Sequence, residues 1–139
     1  MRSRWMLALA LAALLFAGAV FPAAAQGPAV VLCSAVTVSG VCATTLTLNS
    51  APTVAVALSG SFVASVAIQG TIDGSNWYTL TGYATGSTSG STGASNVAVL
   101  RYNTTGFVTL RANPTCTNCA GGLTVTAIPS STALPVVTP

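Results

Sequence analysis

The stretch from Phe62 to Leu80, FVASVAIQGTIDGSNWYTL, restricts the fold more than any other part of the chain. Apolar residues occupy most even positions as far as Ile72, and the odd positions between them are mainly polar. Alternation with a period of two predicts a strand with one buried face and one solvent face. A turn follows at Asp73, Gly74, Ser75 and Asn76, because Gly and Asn tolerate the positive φ of a tight reversal. Trp77 and Tyr78 open the returning strand, so the stretch predicts the central hairpin of an all-β domain.

Short alternating segments recur along the rest of the chain, separated by Gly, Pro and Asn. Seven or eight strands with this spacing are typical of a single β-sandwich or jelly-roll-like domain. The turn expected before the hairpin is Ser59-Gly60-Ser61, and Trp77, Phe62 and Phe107 are the expected anchors of the core. The other candidate segments, from which the seven or eight strands are drawn, are Ala29–Leu32, Val36–Val38, Thr45–Leu48, Thr53–Leu58, Val97–Tyr102, Phe107–Ala112 and Leu123–Ile128.

Residues 1–25 have the three parts of a secretory signal peptide. Arg2 and Arg4 precede an apolar run, which ends at Pro22 before three alanines. This arrangement predicts cleavage between Ala25 and Gln26 and a secreted protein, either extracellular or at the cell surface. An uncleaved membrane anchor is the alternative, because the apolar run is nearly long enough to span a bilayer.

Two further segments differ in composition from the predicted strands. Residues 81–96 are rich in Gly, Ser and Thr and predict a flexible loop. Residues 129–139 contain three prolines and predict an extended tail, because proline cannot donate a hydrogen bond within a central strand. The predicted β-sandwich domain therefore covers residues 26–128.

The predicted mature chain has very little charge. From residue 26 onward it retains only Asp73, Arg101 and Arg111, which gives a net charge of +1 (two Arg minus one Asp). This composition provides no basic surface for nucleic acid and no polybasic patch for a membrane after cleavage. It also leaves a monomer weakly protected against association with its own copies.

Four cysteines in an exported chain predict two disulfide bonds. We expect the local pairs Cys33–Cys42 and Cys116–Cys119, with a two-residue turn between the second pair; crossed pairs between the two ends of the chain are the alternative. A redox-active Cys116-x-x-Cys119 is disfavoured because a reactive thiolate needs a helix N-terminus or a nearby cation. A zinc site is disfavoured by the cysteine spacing.

The sequence contains no recognisable catalytic group. The chain has no His and a single carboxylate side chain, whereas acid–base catalysis requires a group that titrates near neutrality. We therefore expect a protein that is not an enzyme and has no catalytic residues, cofactor or metal. Asp73 is interpreted as a turn residue because one carboxylate is a poor calcium site.

Part of the chain resembles a β-sandwich domain of phage tail and virion structural proteins. The resemblance lies in the hairpin from Gly60 to Leu80 and in two later strands, and covers about two-thirds of the mature chain. The matching residues are Gln69, Gly70, Asp73, Gly74, Trp77, Gly106, Arg111 and Gly122. It implies a structural role in an assembly. The signal peptide departs from the phage pattern, because virion parts assemble inside the cell, and it favours an exported structural or adhesive protein.

Two functions from different classes remain. The first is a secreted structural subunit that assembles with copies of itself into a filament, fibre or surface layer. Strand exchange through Gly27–Leu32 or through Thr132–Pro139 would join the copies. The second is a module that binds glycans or a cell surface through a row of exposed aromatic rings. The rings expected in that row are Trp77, Tyr78, Tyr83 and Tyr102.

Overall fold

A computed structural model describes residues 26–84, 90–91 and 99–132. The predicted signal peptide, most of the predicted loop and the last seven residues of the predicted tail lie outside the described residues. The part described is all-β and contains no helix, which confirms the predicted all-β class. The described residues accordingly include no helix that could cross a membrane. The strands are β1 (Val30–Val36), β2 (Leu46–Thr47), β3 (Thr53–Thr71), β4 (Tyr78–Thr79), β5 (Gly82–Ala84), β6 (Gly90–Ser91), β7 (Val99–Asn103) and β8 (Thr109–Ser130).

These eight strands form one antiparallel sheet in the order β1-β8-β3-β7-β5-β6, with β2 beside β8 and β4 beside β3. The two long strands, of 19 and 22 residues, pair along almost their whole lengths. The first half of β3 pairs with the second half of β8, between β1 and β7. The second half of β3 pairs with the first half of β8, between β2 and β4. Buried side chains from both halves form one hydrophobic cluster, so a single continuous sheet supplies most of the core.

The two halves meet where the long strands change register. Between the pair Gly60–Leu123 and the pair Ala64–Cys116, β3 contributes three residues and β8 contributes six. Gly60 has φ 113° and lies against the carbonyl group of Gly122, where a Cβ atom would have no space. Only glycine tolerates both the backbone conformation and the close approach.

The extra residues of β8 reverse which of its side chains face the core. In β3, the buried apolar residues are even-numbered in both halves, as in Val56 and Val66. In β8, Leu110 and Ala112 are buried before the bulge, whereas Leu123 and Val125 are buried after it. Side chains alternate between faces, so an odd number of extra residues moves the buried set from even to odd positions.

Both predicted disulfide bonds are present in the local pairing. Cys33 and Cys42 have their Cα atoms 5.4 Å apart, and Cys116 and Cys119 have theirs 5.7 Å apart. The first bond ties β1 to the segment that leads into β2, whose Cys42 amide donates to the carbonyl of Ala112 in β8. The second closes the bulge of β8, so both bonds hold irregular backbone in place.

Several predicted boundaries differ from the structure. Ser59-Gly60-Ser61 is not a turn, because β3 continues through it. The predicted strands Phe107–Ala112 and Leu123–Ile128 are parts of one strand, which continues through the Cys116–Cys119 bulge to Ser130. β5 and β6 lie inside the span predicted as a flexible loop.

The expected core anchors are only partly buried. Trp77, Phe62 and Phe107 are half-buried, whereas aliphatic side chains and Tyr102 fill the centre of the core. Ile72, on the predicted buried face, is exposed because β3 ends at Thr71 and the chain there enters the turn.

Candidate functional site

The hairpin turn after β3 is held together by Asp73. Its Oδ1 accepts hydrogen bonds from the amides of Ser75, at 2.9 Å, and Asn76, at 2.8 Å. The same oxygen accepts the hydroxyl of Thr71 at 3.0 Å, and Oδ2 accepts the side-chain amide of Asn76 at 2.6 Å. Gly74 takes the left-handed conformation, with φ 77°. The turn lies at the predicted residues. Its hydrogen bonds to Asp73 give this aspartate a structural role within the turn.

The environment of Asp73 keeps its carboxylate ionised. The backbone amide of Asn76 is the largest cause, followed by the Asn76 side chain and the amide of Ser75, and together they lower the pKa of Asp73 well below its usual value. Hydrogen bonds to the charged form of a carboxylate have this effect because they favour the anion. A carboxylate with all these partners is unsuited to act as a proton donor or acceptor near neutral pH.

Beside this turn, the second half of β3 and the first half of β8 present an outer face opposite the core. The even-numbered apolar residues of both segments are buried, so the odd-numbered residues lie on the opposite face. Most of the side chains on this face carry hydroxyl or amide groups. Cross-strand pairs on it are Ser65–Thr115, Ala67–Asn113 and Gln69–Arg111. Thr109 also lies on it, whereas its cross-strand partner Thr71 is fully buried beside the turn. We call the six paired residues, together with Thr109 and Trp77, the outer face.

Arg111 is the one cation of the outer face, and two neighbours fix its position. Its Nε donates to Oε1 of Gln69, directly opposite on β3, at 2.9 Å. Its guanidinium carbon lies 4.0 Å from the centroid of the Trp77 ring. Because β3 lies between β8 and β4, the arginine side chain crosses one strand to reach the tryptophan. This contact attracts a cation to an aromatic ring and restricts the arginine to one orientation.

The structure does not form the predicted row of four exposed aromatic rings. Tyr78 is 53 % exposed, and Trp77 and Tyr83 are half-buried. Tyr102 is a correction, because only 1 % of it is exposed and its ring belongs to the core. Burial also raises the pKa of Tyr102 to about 12. The sequence did not predict that Gln69 and Arg111 are paired. Their contact becomes evident only from the register of β3 and β8.

A shallow groove of about 550 Å³ lies at another place, where the two ends of the described chain meet. Residues 26–28, 46–52 and 129–131 line it, and none of them has a titratable side chain. Three proline rings and the side chains of Leu46 and Leu48 give the groove an apolar character. Such a lining can accommodate an apolar or proline-containing segment.

Comparison with known proteins finds a likeness at the level of the fold alone. No family model and no curated protein matches it. Among solved structures, it is similar to the crystal structure of SPBc2 prophage-derived protein YomS, with 14 % sequence identity and a TM-score of 0.69 over 82 % of this chain and 100 % of that chain. At this identity the likeness shows a shared fold, and it agrees with the resemblance to phage proteins at that level.

Proposed function

We propose that the protein is an exported structural subunit that associates with copies of itself into an extracellular filament, fibre or surface layer. The observation that carries the proposal is the surface, which combines many apolar side chains with very few charges. Large hydrophobic side chains are exposed at eight of the described positions. They are Val31, Val38, Val41, Val63, Ile72, Tyr78, Val99 and Val108.

The few charges present give little protection against association. Three charged side chains follow residue 25, namely Asp73, Arg101 and Arg111. A net charge near zero leaves copies without the mutual repulsion that keeps proteins monomeric. Burial of apolar surface between copies then favours association by about 25 cal/mol per Å².

Both ends of the described part of the chain lie beside the groove. Gln26 forms a bridge with Ser130, and the amide of Gly27 donates to the carbonyl of Pro129 at 2.9 Å. Within this structure the N-terminal segment pairs with β8 of its own chain, so strand exchange through it requires these bonds to open. The groove beside both ends would receive residues 133–139 of a second copy, a segment with the sequence ALPVVTP.

The test uses the exported protein with both disulfides formed, and cleavage after Ala25 is checked by mass spectrometry. Light scattering after size-exclusion chromatography, together with negative-stain microscopy, follows its mass and shape as concentration rises. We expect growing oligomers or fibres. A protein that stays monomeric at the highest soluble concentration contradicts the proposal.

Two variants separate the contributions. Val38→Lys removes the most exposed of the hydrophobic side chains, at 72 %, and adds one charge. Thr37→Lys, at the neighbouring exposed position, adds the same charge and keeps the valine. We expect Val38→Lys to weaken association more than Thr37→Lys. A chain that ends at Thr132 tests the terminal segment, and loss of assembly in it supports exchange through the tail.

A further inference from the structure

We propose that the outer face binds a carboxylate-bearing oligosaccharide, with Arg111 on a uronic acid carboxylate and Trp77 beside the sugar ring. This proposal concerns the polar side chains and the cation of the outer face, whereas the proposed self-association rests on exposed apolar side chains and the groove. The site also differs from a row of aromatic rings, because one oriented cation among hydroxyl and amide groups defines it.

Arg111 is already oriented for a ligand. A guanidinium has five N–H donors in a planar fork. Within the described residues, the Nε of Arg111 donates a hydrogen bond to Gln69. The contact with Trp77, 4.0 Å from the guanidinium carbon to the ring centroid, restricts where the fork can lie. A side chain that is ordered before binding loses less conformational entropy when it binds, and the terminal nitrogens of an arginine match the two oxygens of a carboxylate.

The chain itself offers little to neutralise this cation. Asp73 is the single side-chain carboxylate of the protein, and its oxygens accept hydrogen bonds from Thr71, Ser75 and Asn76 of its own turn. The half-buried Arg111 therefore favours an anion from outside the subunit. Electrostatic complementarity of this kind selects a charged partner over its neutral analogue.

The rest of the outer face selects the class of anion. Along the strands from Arg111, its surface continues with side chains such as Asn113, Thr115 and Ser65, which donate and accept hydrogen bonds. Sugar hydroxyl groups require such partners. A nucleic acid would need several cations along its phosphates, and the outer face has one. An oligosaccharide with isolated carboxylates fits both properties.

The experiment is a titration of the exported, processed protein with hexagalacturonate. Its control ligand is the same hexamer with every carboxylate methyl-esterified, which keeps the sugar and removes the charge. Of the two tryptophans, Trp5 lies in the predicted signal peptide, so the fluorescence of the processed protein reports on Trp77. Calorimetry measures the affinity independently of the fluorescence.

Arg111→Gln and Arg101→Gln form a matched pair, because they remove the same charge from two arginines and only Arg111 stacks on Trp77. We expect hexagalacturonate to change the Trp77 fluorescence. We also expect an affinity at least about tenfold lower for the methyl ester and for Arg111→Gln, and unchanged for Arg101→Gln.

Three results would overturn the proposal: no binding of hexagalacturonate, equal binding of the ester, or equal losses in the two arginine variants. A peptide with the sequence ALPVVTP and a free C-terminal carboxylate is titrated in parallel. Binding of this peptide without binding of the sugar assigns the outer face to a second copy of the chain, and so overturns the saccharide assignment. Self-association is scored separately by light scattering, so failure of either proposal is visible without the other.

Discussion

Arg111 of β8 and Trp77, which precedes β4, are in contact across the intervening strand β3, with the guanidinium carbon 4.0 Å from the ring centroid. The contact therefore links the segment that leads into β4 to β8, which lies on the opposite side of β3. Since β4 contains only two residues, its backbone pairing alone is a weak attachment. The side chain of Arg111, which belongs to the outer face, therefore also stabilises the attachment of β4 to the sheet.

Replacing Arg111 by alanine should lower the free energy of unfolding by about 1 kcal/mol, because cation–π contacts at partly exposed sites contribute about that amount. In a domain of this size the midpoint of thermal unfolding should fall by about 4 °C. The measurement is thermal unfolding followed by circular dichroism. Arg101→Ala is the control and should change stability by less than about 0.5 kcal/mol. Equal losses in both variants would show that the contact with Trp77 adds no stability.

The two disulfide bonds should contribute unequally. Cys33 and Cys42 are 9 residues apart in sequence, and Cys116 and Cys119 are 3 apart. Restricting the unfolded chain contributes about 3 kcal/mol for the longer loop and about 2 kcal/mol for the shorter. Denaturant unfolding of the two double alanine variants measures both values. A larger loss for the Cys116–Cys119 pair would mean that the bond acts mainly on the native bulge in β8.

Local pattern was sufficient to predict the all-β class, the hairpin turn and the local disulfide pairing. It failed where one strand bends without ending. Ser59-Gly60-Ser61 has the composition of a turn, and the same composition is needed where Gly60 lies against the backbone of β8. The difference depends on which strand lies alongside, and that information is not local.

The candidate site shows the same limit. Asp73 and its neighbours were predicted because an Asp-Gly-x-Asn turn is encoded in adjacent residues. The position of Tyr102 was not, because its burial depends on the space left by Gly82, which is opposite it on β5. Likewise, Gln69 and Arg111 are 42 residues apart in sequence, and only the register of two long strands brings them together.

The turn between β2 and β3 contains a residue whose replacement should stabilise the protein. Asn49 and Ser50 have φ of 45° and 64°, and the amide of Ala51 donates to the carbonyl of Leu48. Asn-Gly is the preferred pair for this kind of turn. Ser50→Gly should therefore raise the free energy of unfolding by about 0.5 to 1 kcal/mol, because glycine takes a positive φ without strain.

The matched substitution, Gly74→Ala, should lower the free energy of unfolding. Gly74 has φ 77°, and a Cβ atom there would meet no other atom within 4 Å. Gly74→Ala should thus cost about 1 kcal/mol from backbone conformation alone. Denaturant unfolding measures both variants. If Ser50→Gly is destabilising, the added freedom of the unfolded chain outweighs the relief of strain in the turn.

Stability in acid should depend mainly on one side chain. The folded protein lowers the pKa of Asp73, so its contribution is present above the unfolded value of about 3.9 and is lost as the pH falls toward the lower, folded pKa. We expect stability to be constant between about pH 5 and pH 8, since the chain has no His or Glu. Below about pH 4 it should fall. Asp73→Asn should be less stable at neutral pH and show a smaller decline in acid. Parallel curves for the two proteins would exclude Asp73 as the cause.

Alkaline unfolding should depend on Tyr102. Burial of its ring raises its pKa to about 12 in the folded protein, whereas an exposed tyrosine in the unfolded chain has a pKa of about 10. The folded state therefore binds this proton more tightly. Stability is unaffected below pH 10 and falls by about 3 kcal/mol as the pH rises through the interval to 12. Tyr102→Phe keeps the ring and removes the ionisation, so its stability should change little over this interval. Denaturant midpoints measured at each pH, with tyrosinate absorbance as a second signal, distinguish the two proteins. An equal alkaline decline in Tyr102→Phe would assign the transition to other groups.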